Sequence, residues 1–241
     1  MGVTAQTEAA VLVLFVALFV ALTIVSGFWF AILMRKRAYT FKPLVGKKDA
    51  LYQTIFPKRP TRWLAIRGVS PERVRSALGL SRYAPCSWSE GMTGEHEFFV
   101  SPRVNGWVIV TGVAIPAPDD DVDECFHFLI SLSRKLGHVQ FFHAEKFLHH
   151  HAWARLDEGC VTRAYAWAGE TVWDQGIKTM PEIELGLKCF SYGEGCPPHI
   201  AKMNMEKVSR LAARWNFDPA TVDERLLNEA SGVAGELPGI L

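Results

Sequence analysis

Five of the eight histidines fall between residues 138 and 151: His138, His143, His149, His150 and His151. On an extended strand, His149 and His151 point to one face, roughly 6.5–7 Å apart, a spacing at which two imidazoles can grip one metal ion. His143 shares a face of the preceding strand with Glu145 and is the candidate third ligand. Hydrolysis at such a metal would also need an open coordination position and a general base, a part that falls to Glu145 or Glu170. No HExxH-type signature supports it. The competing reading is a set of imidazoles on a half-buried sheet face, hydrogen-bonded to backbone or carboxylates.

A second constellation follows at Arg163, Tyr165, Trp167, Glu170 and Trp173. Arg163, Tyr165 and Trp167 alternate, so a strand presents them on one face. Arginine with aromatics is the usual make-up of a contact surface for a protein or small ligand, and Arg163, Tyr165, Trp167 and Glu170 are the candidate ligand-binding residues. The competing reading is a packed core with a snorkelling arginine.

Other chemistries find little support. No Gly-x-Ser-x-Gly, Walker A, GxGxxG or EF-hand pattern occurs. The five cysteines (Cys86, Cys125, Cys160, Cys189, Cys196) are odd in number and form no CxxC pair, which reads as scattered reduced thiols. Cys160 is expected at an exposed turn and Cys125 on the apolar stripe of a helix. A disulfide between Cys189 and Cys196 would contradict a cytoplasmic address.

The elements that must position these residues begin at Thr61–Arg67, read as a strand. Ser70 and Pro71 then open a short helix as N-cap and first helical residue, and Gly79 ends it. Residues 84–97 read as turns. Residues 97–104 and 106–114 read as strands around an Asn105-Gly106 type I′ turn, with Pro102 cutting the first one short. Asp119, Asp120 and Asp121 open the clearest helix, which runs to Leu136 with one apolar stripe and Gly137 behind it. A strand at 139–146 leads to a hairpin around Glu158-Gly159.

A two-residue turn in that hairpin pairs Asp157 with Cys160 and Leu156 with Val161. Carried on without a break, it pairs Arg155 with Thr162, Trp153 with Ala164 and His151 with Ala166. That register sets large side chains against small ones. A strand over 171–176, helices near 180–190 and 203–214, and a frayed tail at 230–241 complete the order. Hairpins dominate over crossovers. The expected fold is α+β, a mostly antiparallel sheet with flanking helices, preceded by one N-terminal transmembrane helix.

That helix is read from Val11 to Met34, 24 residues without a charge or a histidine. At about 1.5 Å per residue they span roughly 36 Å, enough for a ~30 Å hydrocarbon core. Arg35, Lys36 and Arg37 follow at once, and the only charge before the run is Glu8. A cleaved signal peptide would want a basic start and a shorter core. The basic flank places the N-terminus outside and the domain in the cytoplasm, at a single-pass inner-membrane address. The organisation expected is an anchor with its basic flank at 1–37, a linker at 38–60, a domain at 61–229 and the tail. After residue 34 the chain holds 26 basic against 24 acidic residues, and that near-neutral balance argues against nucleic acid as a partner.

The stretch VQFFHAEKFLHHHAWARLDEGCVTRAYAWAGETVWDQG, with the PEIELG helix after it, resembles a conserved-hypothetical bacterial membrane-anchored family. There a histidine- or aromatic-rich hairpin precedes an RAYAW-GE strand. The likeness covers between a third and a half of the chain. It implies a bacterial inner membrane and carries no known activity. The expected function is therefore a membrane-tethered cytoplasmic module that binds a protein or small ligand, its partners being the bilayer and that ligand. No cofactor is expected unless the histidines hold a divalent metal. The alternative is a metal-dependent enzyme using His143, His149 and His151.

Overall fold

The computed structural model describes residues 60–215, 217, 219, 222 and 231–237. The expected transmembrane helix at 11–34 and nearly all of the linker lie outside them. Among the described residues no helix is long and apolar enough to cross a membrane.

The chain runs β1 (Arg62–Arg67), α1 (Pro71–Leu78), β2 (Arg82–Cys86), α2 (Trp88–Gly91), β3 (Phe98–Val100), β4 (Trp107–Thr111), α3 (Val122–Leu136), β5 (Val139–Ala144), β6 (His151–Asp157), β7 (Cys160–Trp167), β8 (Thr171–Gln175), α4 (Met180–Glu184), α5 (Pro198–Trp215) and β9 (Gly232–Glu236). Among the described residues nine strands form one sheet in the order β2-β9-β3-β4-β1-β5-β6-β7-β8. Every neighbouring pair is antiparallel. The expectation of an α+β domain behind a transmembrane helix is corrected accordingly. The described part is sheet-rich, with a few covering helices, two of them (α2 and α4) only four and five residues long.

Two strands account for the difference. β2 and β9 pair over Arg82–Cys86 and Gly232–Glu236, where turns and a frayed tail were expected. Their sequences, RYAPC and GVAGE, lack the β-branched alternation that marks a strand. Pairing partners, not propensity, hold them extended. Pro85 is tolerated because β2 is an edge strand. Gly232 is required because a Cβ there would overlap the Phe99 ring.

Among the described residues three clusters of buried side chains pack on the sheet, the smallest being Ala65, Trp88, Met92, Trp107, Ile109 and Phe217. On one face, α1 and α3 deliver Val74, Leu78, Cys125, Leu129, Leu132 and Leu136 onto Leu64, Ile66, Phe141 and a floor of Ala152, Ala154, Ala164 and Ala166. On the other, α5 lays Val208, Leu211, Ala212 and Trp215 over Trp63, Phe142, Trp153, Tyr165 and Trp167. α3 follows its expected bounds: Asp121 caps it by accepting from the backbone N–H of Asp123 and Glu124, and Gly137 closes it at φ 81°.

The hairpin register is corrected as well. Asp157 pairs with Cys160 and Leu156 with Val161, but a bulge then takes up Thr162. The Thr162 hydroxyl donates to the Arg155 carbonyl at 3.0 Å. Beyond it Arg155 faces Arg163, Ala154 faces Ala164, Trp153 faces Tyr165, Ala152 faces Ala166 and His151 faces Trp167. Small stands against small and large against large. Alternation of sizes across one strand pair is outweighed by the layers. The alanine face lets α3 approach closely, while the aromatic face fills the deeper space under α5.

Candidate functional site

The histidines do not converge as a His143, His149 and His151 set. His149 is not in a strand: it turns the chain at φ 57°, and β6 starts only at His151. His149 and His151 therefore share no pleat. His151 is spent on structure. Its Nδ1–H donates to the His149 carbonyl at 2.9 Å, and Nε2 stands 3.4 Å from the Asn204 amide of α5. Burial lowers its pKa to about 4, the other histidines adding to the effect and the His149 carbonyl opposing it. The ring is neutral and lies against Trp153 and Tyr165.

His143 and His150 instead meet at Asp119, the residue two before the cap of α3. His143 Nε2 lies 3.2 Å from Asp119 Oδ1, and His150 Nδ1 lies 3.1 Å from Oδ2. Burial alone would raise the Asp119 carboxyl, but His143 and His150 more than offset it and hold it well below the usual carboxylate range. As a carboxylate, Asp119 accepts the His150 Nδ1–H bond. His143 is close enough to feel the charge, but its ring is not aligned for a hydrogen bond at either nitrogen. The clamp ties the start of α3 to both ends of the loop between β5 and β6.

That loop is built from within. Glu145 accepts from the backbone N–H of Phe147 (3.0 Å) and of Leu148 (2.6 Å) through its two carboxylate oxygens. Its own N–H donates to the His150 carbonyl at 2.9 Å. Glu145 thus braces the loop. The loop presents Phe147 at 93% exposure and Leu148 at 66%, next to exposed Lys146. Phe147 and Leu148 thus stand side by side as exposed apolar groups on an internally bonded loop.

The second expected site is not a surface. Arg163, Tyr165 and Trp167 are all buried, and Glu170 is exposed at the turn between β7 and β8, apart from them. Arg163 Nε donates to both Glu182 oxygens, at 2.9 and 3.2 Å, and Nη1 donates to Asp174 at 2.6 Å. Its Nη2 reaches the Cys189 sulfur at 3.2 Å. Glu182 also accepts from the Trp153 indole (2.8 Å) and from the backbone and hydroxyl of Thr179 (2.8 Å each). Burial pushes the Tyr165 phenol up to about 12, the Thr171 hydroxyl and the Phe190 N–H opposing it. With Thr171 and Phe190 as partners, Tyr165 is structural. The packed-core reading of this group is the one the burial supports.

Asp119 and Glu182 were not among the candidate residues. Asp119 reads as one of three acids at a helix start, and nothing local points it at histidines 24 and 31 positions on. Glu182 had a signal: Thr179-x-x-Glu182 is a capping-box spacing. Among the described residues, the group with metal-ligand spacing is Cys86, Glu90 and His96, which the chain order gives no reason to group.

Searches against protein-family models, curated proteins and solved structures find no match for this chain.

Proposed function

We propose that the chain is a binding module that takes hold of a protein partner through the Phe147–Leu148 tip. The observation that carries this is the near-complete exposure of Phe147 on a loop whose backbone Glu145 already holds. A braced loop loses little conformational freedom on docking, so the burial of Phe and Leu goes into affinity. An aromatic and an aliphatic anchor side by side have the make-up of an interface hot spot. Glu145 beside the single exposed Lys146 leaves the loop without the basic cluster that an anionic lipid surface recruits, which disfavours lipid as the occupant. The apolar run at 11–34 with its basic flank supports a membrane address, with the domain on its cytoplasmic side.

The reading assigns no reaction. A metal-dependent enzyme on His143, His149 and His151 is set aside because His151 spends both nitrogens on structural partners and Glu145 braces the loop.

Exchange of both tip residues (Phe147→Ser with Leu148→Ser) tests it. Co-purification of the partner with the full chain is expected to be lost, with the melting temperature unchanged. Retained capture would overturn the reading.

A further inference from the structure

The end of β2, the short helix α2 and the segment leading into β3 bring three unlike donors together. Cys86 Sγ lies 3.6 Å from His96 Nε2, and His96 Nε2 lies 3.7 Å from Glu90 Oε1. All three donor atoms fall within 4.8 Å of one another. Each comes from an anchored backbone. Cys86 pairs with Gly232 across the β2–β9 ladder. The Glu90 N–H donates to the Ser87 hydroxyl at 3.2 Å, and the His96 carbonyl accepts from Val113 at 2.8 Å.

We propose that Cys86, Glu90 and His96 form a binding site for one zinc-class divalent cation, with a fourth coordination position open to solvent. Tetrahedral zinc, with Zn–S of about 2.3 Å and Zn–N of about 2.0 Å, sets its sulfur and nitrogen ligands about 3.5 Å apart. The Cys86–His96 separation already matches, and the His96–Glu90 separation needs only a small closure of an exposed carboxylate. Thiolate and imidazole together favour zinc and its neighbours over magnesium or calcium, which prefer all-oxygen sites. The wall is asymmetric. The Cys86 side is buried, whereas Glu90 and His96 keep 62% and 32% of their side chains exposed. Three protein ligands with an open side leave room for a water or for a group on another molecule.

A cysteine nucleophile activated by His96 fits the site less well. Burial, with the Glu90 carboxylate adding to it, pushes the Cys86 thiol up to about 11, the wrong direction for a reactive thiolate. The same carboxylate that penalises a bare thiolate becomes a ligand once a divalent cation stands between them. Binding then takes up one cation and releases the thiol proton.

Cobalt(II) titration of the full chain in detergent micelles tests this, because a thiolate–cobalt bond has its own charge-transfer absorption. One equivalent of cobalt is expected to raise that band together with the ligand-field bands of a four-coordinate site, and zinc is expected to displace it. Cys86→Ser is expected to abolish the charge-transfer band. Glu90→Gln and His96→Gln change partly exposed side chains and keep the fold, and each is expected to weaken cobalt binding about tenfold or more. Absence of the band, or its persistence undiminished in His96→Gln and Glu90→Gln, would overturn the proposal.

Discussion

Arg163 Nε donates to Glu182 Oε1 at 2.9 Å, and the two side chains keep only 2% and 0% of their surface in contact with solvent. This bond ties β7 to α4 across the aromatic core. It turns what the sequence suggests is a contact surface into an internal strut. Glu182 holds the Trp153 indole and Thr179 as well, and the Thr179 hydroxyl accepts from the Trp215 indole of α5. Removing Arg163 leaves the Glu182 carboxylate buried without a counter-charge, whereas removing Glu182 leaves Arg163 paired with Asp174 alone.

Arg163→Met should therefore cost about 3–5 kcal/mol of stability, and Glu182→Gln less, because Arg163 keeps Asp174. The double variant should cost clearly less than their sum, since neither charge is then left alone. Urea unfolding followed by tryptophan fluorescence measures all three. Single variants that unfold like the parent would show that the strut carries little.

His151 supplies a pH dependence. Its folded pKa, lowered to about 4 by burial, lies below the unfolded value near 6.5. The unfolded chain therefore binds the extra proton first. The stabilisation is complete above about pH 6.5 and is lost as pH falls towards 4. His151→Gln should flatten the stability–pH curve across that window relative to the parent. Parallel curves for the two chains would contradict a buried neutral His151.

Asp119 acts lower on the scale. Its folded pKa is depressed, so its contribution is present above about pH 4, the unfolded value, and is lost as pH falls further. Asp119→Asn should release the loop between β5 and β6 at neutral pH. The expected sign is faster amide exchange at Phe147 and Leu148 with little change in the β6–β7 hairpin. Unchanged exchange in the loop would mean that the clamp does not hold it.

Thr162 tests the bulge. Deleting it would carry every later side chain of β7 to the opposite face, sending Arg163 and Tyr165 into the alanine floor beneath α3. The deletion should lose cooperative unfolding and near-ultraviolet circular dichroism. Thr162→Ala, which keeps the count of residues, should cost about 1 kcal/mol for the lost hydroxyl bond. A well-folded deletion variant would favour the unbulged register.

Legibility followed how local the cause was. The Asp121 cap, the Gly137 stop and the two turns at Asn105-Gly106 and Glu158-Gly159 are set by neighbours in sequence, and all four are where the residues put them. β2 and β9 are not readable because they are extended by each other across the chain. The bulge at Thr162 is silent because a pairwise rule for strands ignores the different depths of the two faces. The histidine set failed for a local reason that the alternation hides: His149 has positive φ, so two histidines two apart are not on one pleat. Asp119, the partner of His143 and His150, arrives by folding alone. The burial of Arg163 depended on knowing that α4 and α5 return to cover that face.

The central claim is that Phe147 touches a protein partner. A photo-crosslinking benzoylphenylalanine placed at position 147 of the full chain, irradiated in the cells that express it, tests it most directly. The account predicts one defined protein adduct, absent when the probe is moved to exposed Ile177 and competed away by the unlabelled parent chain. Adducts to lipid alone, or the same products from both positions, would contradict it.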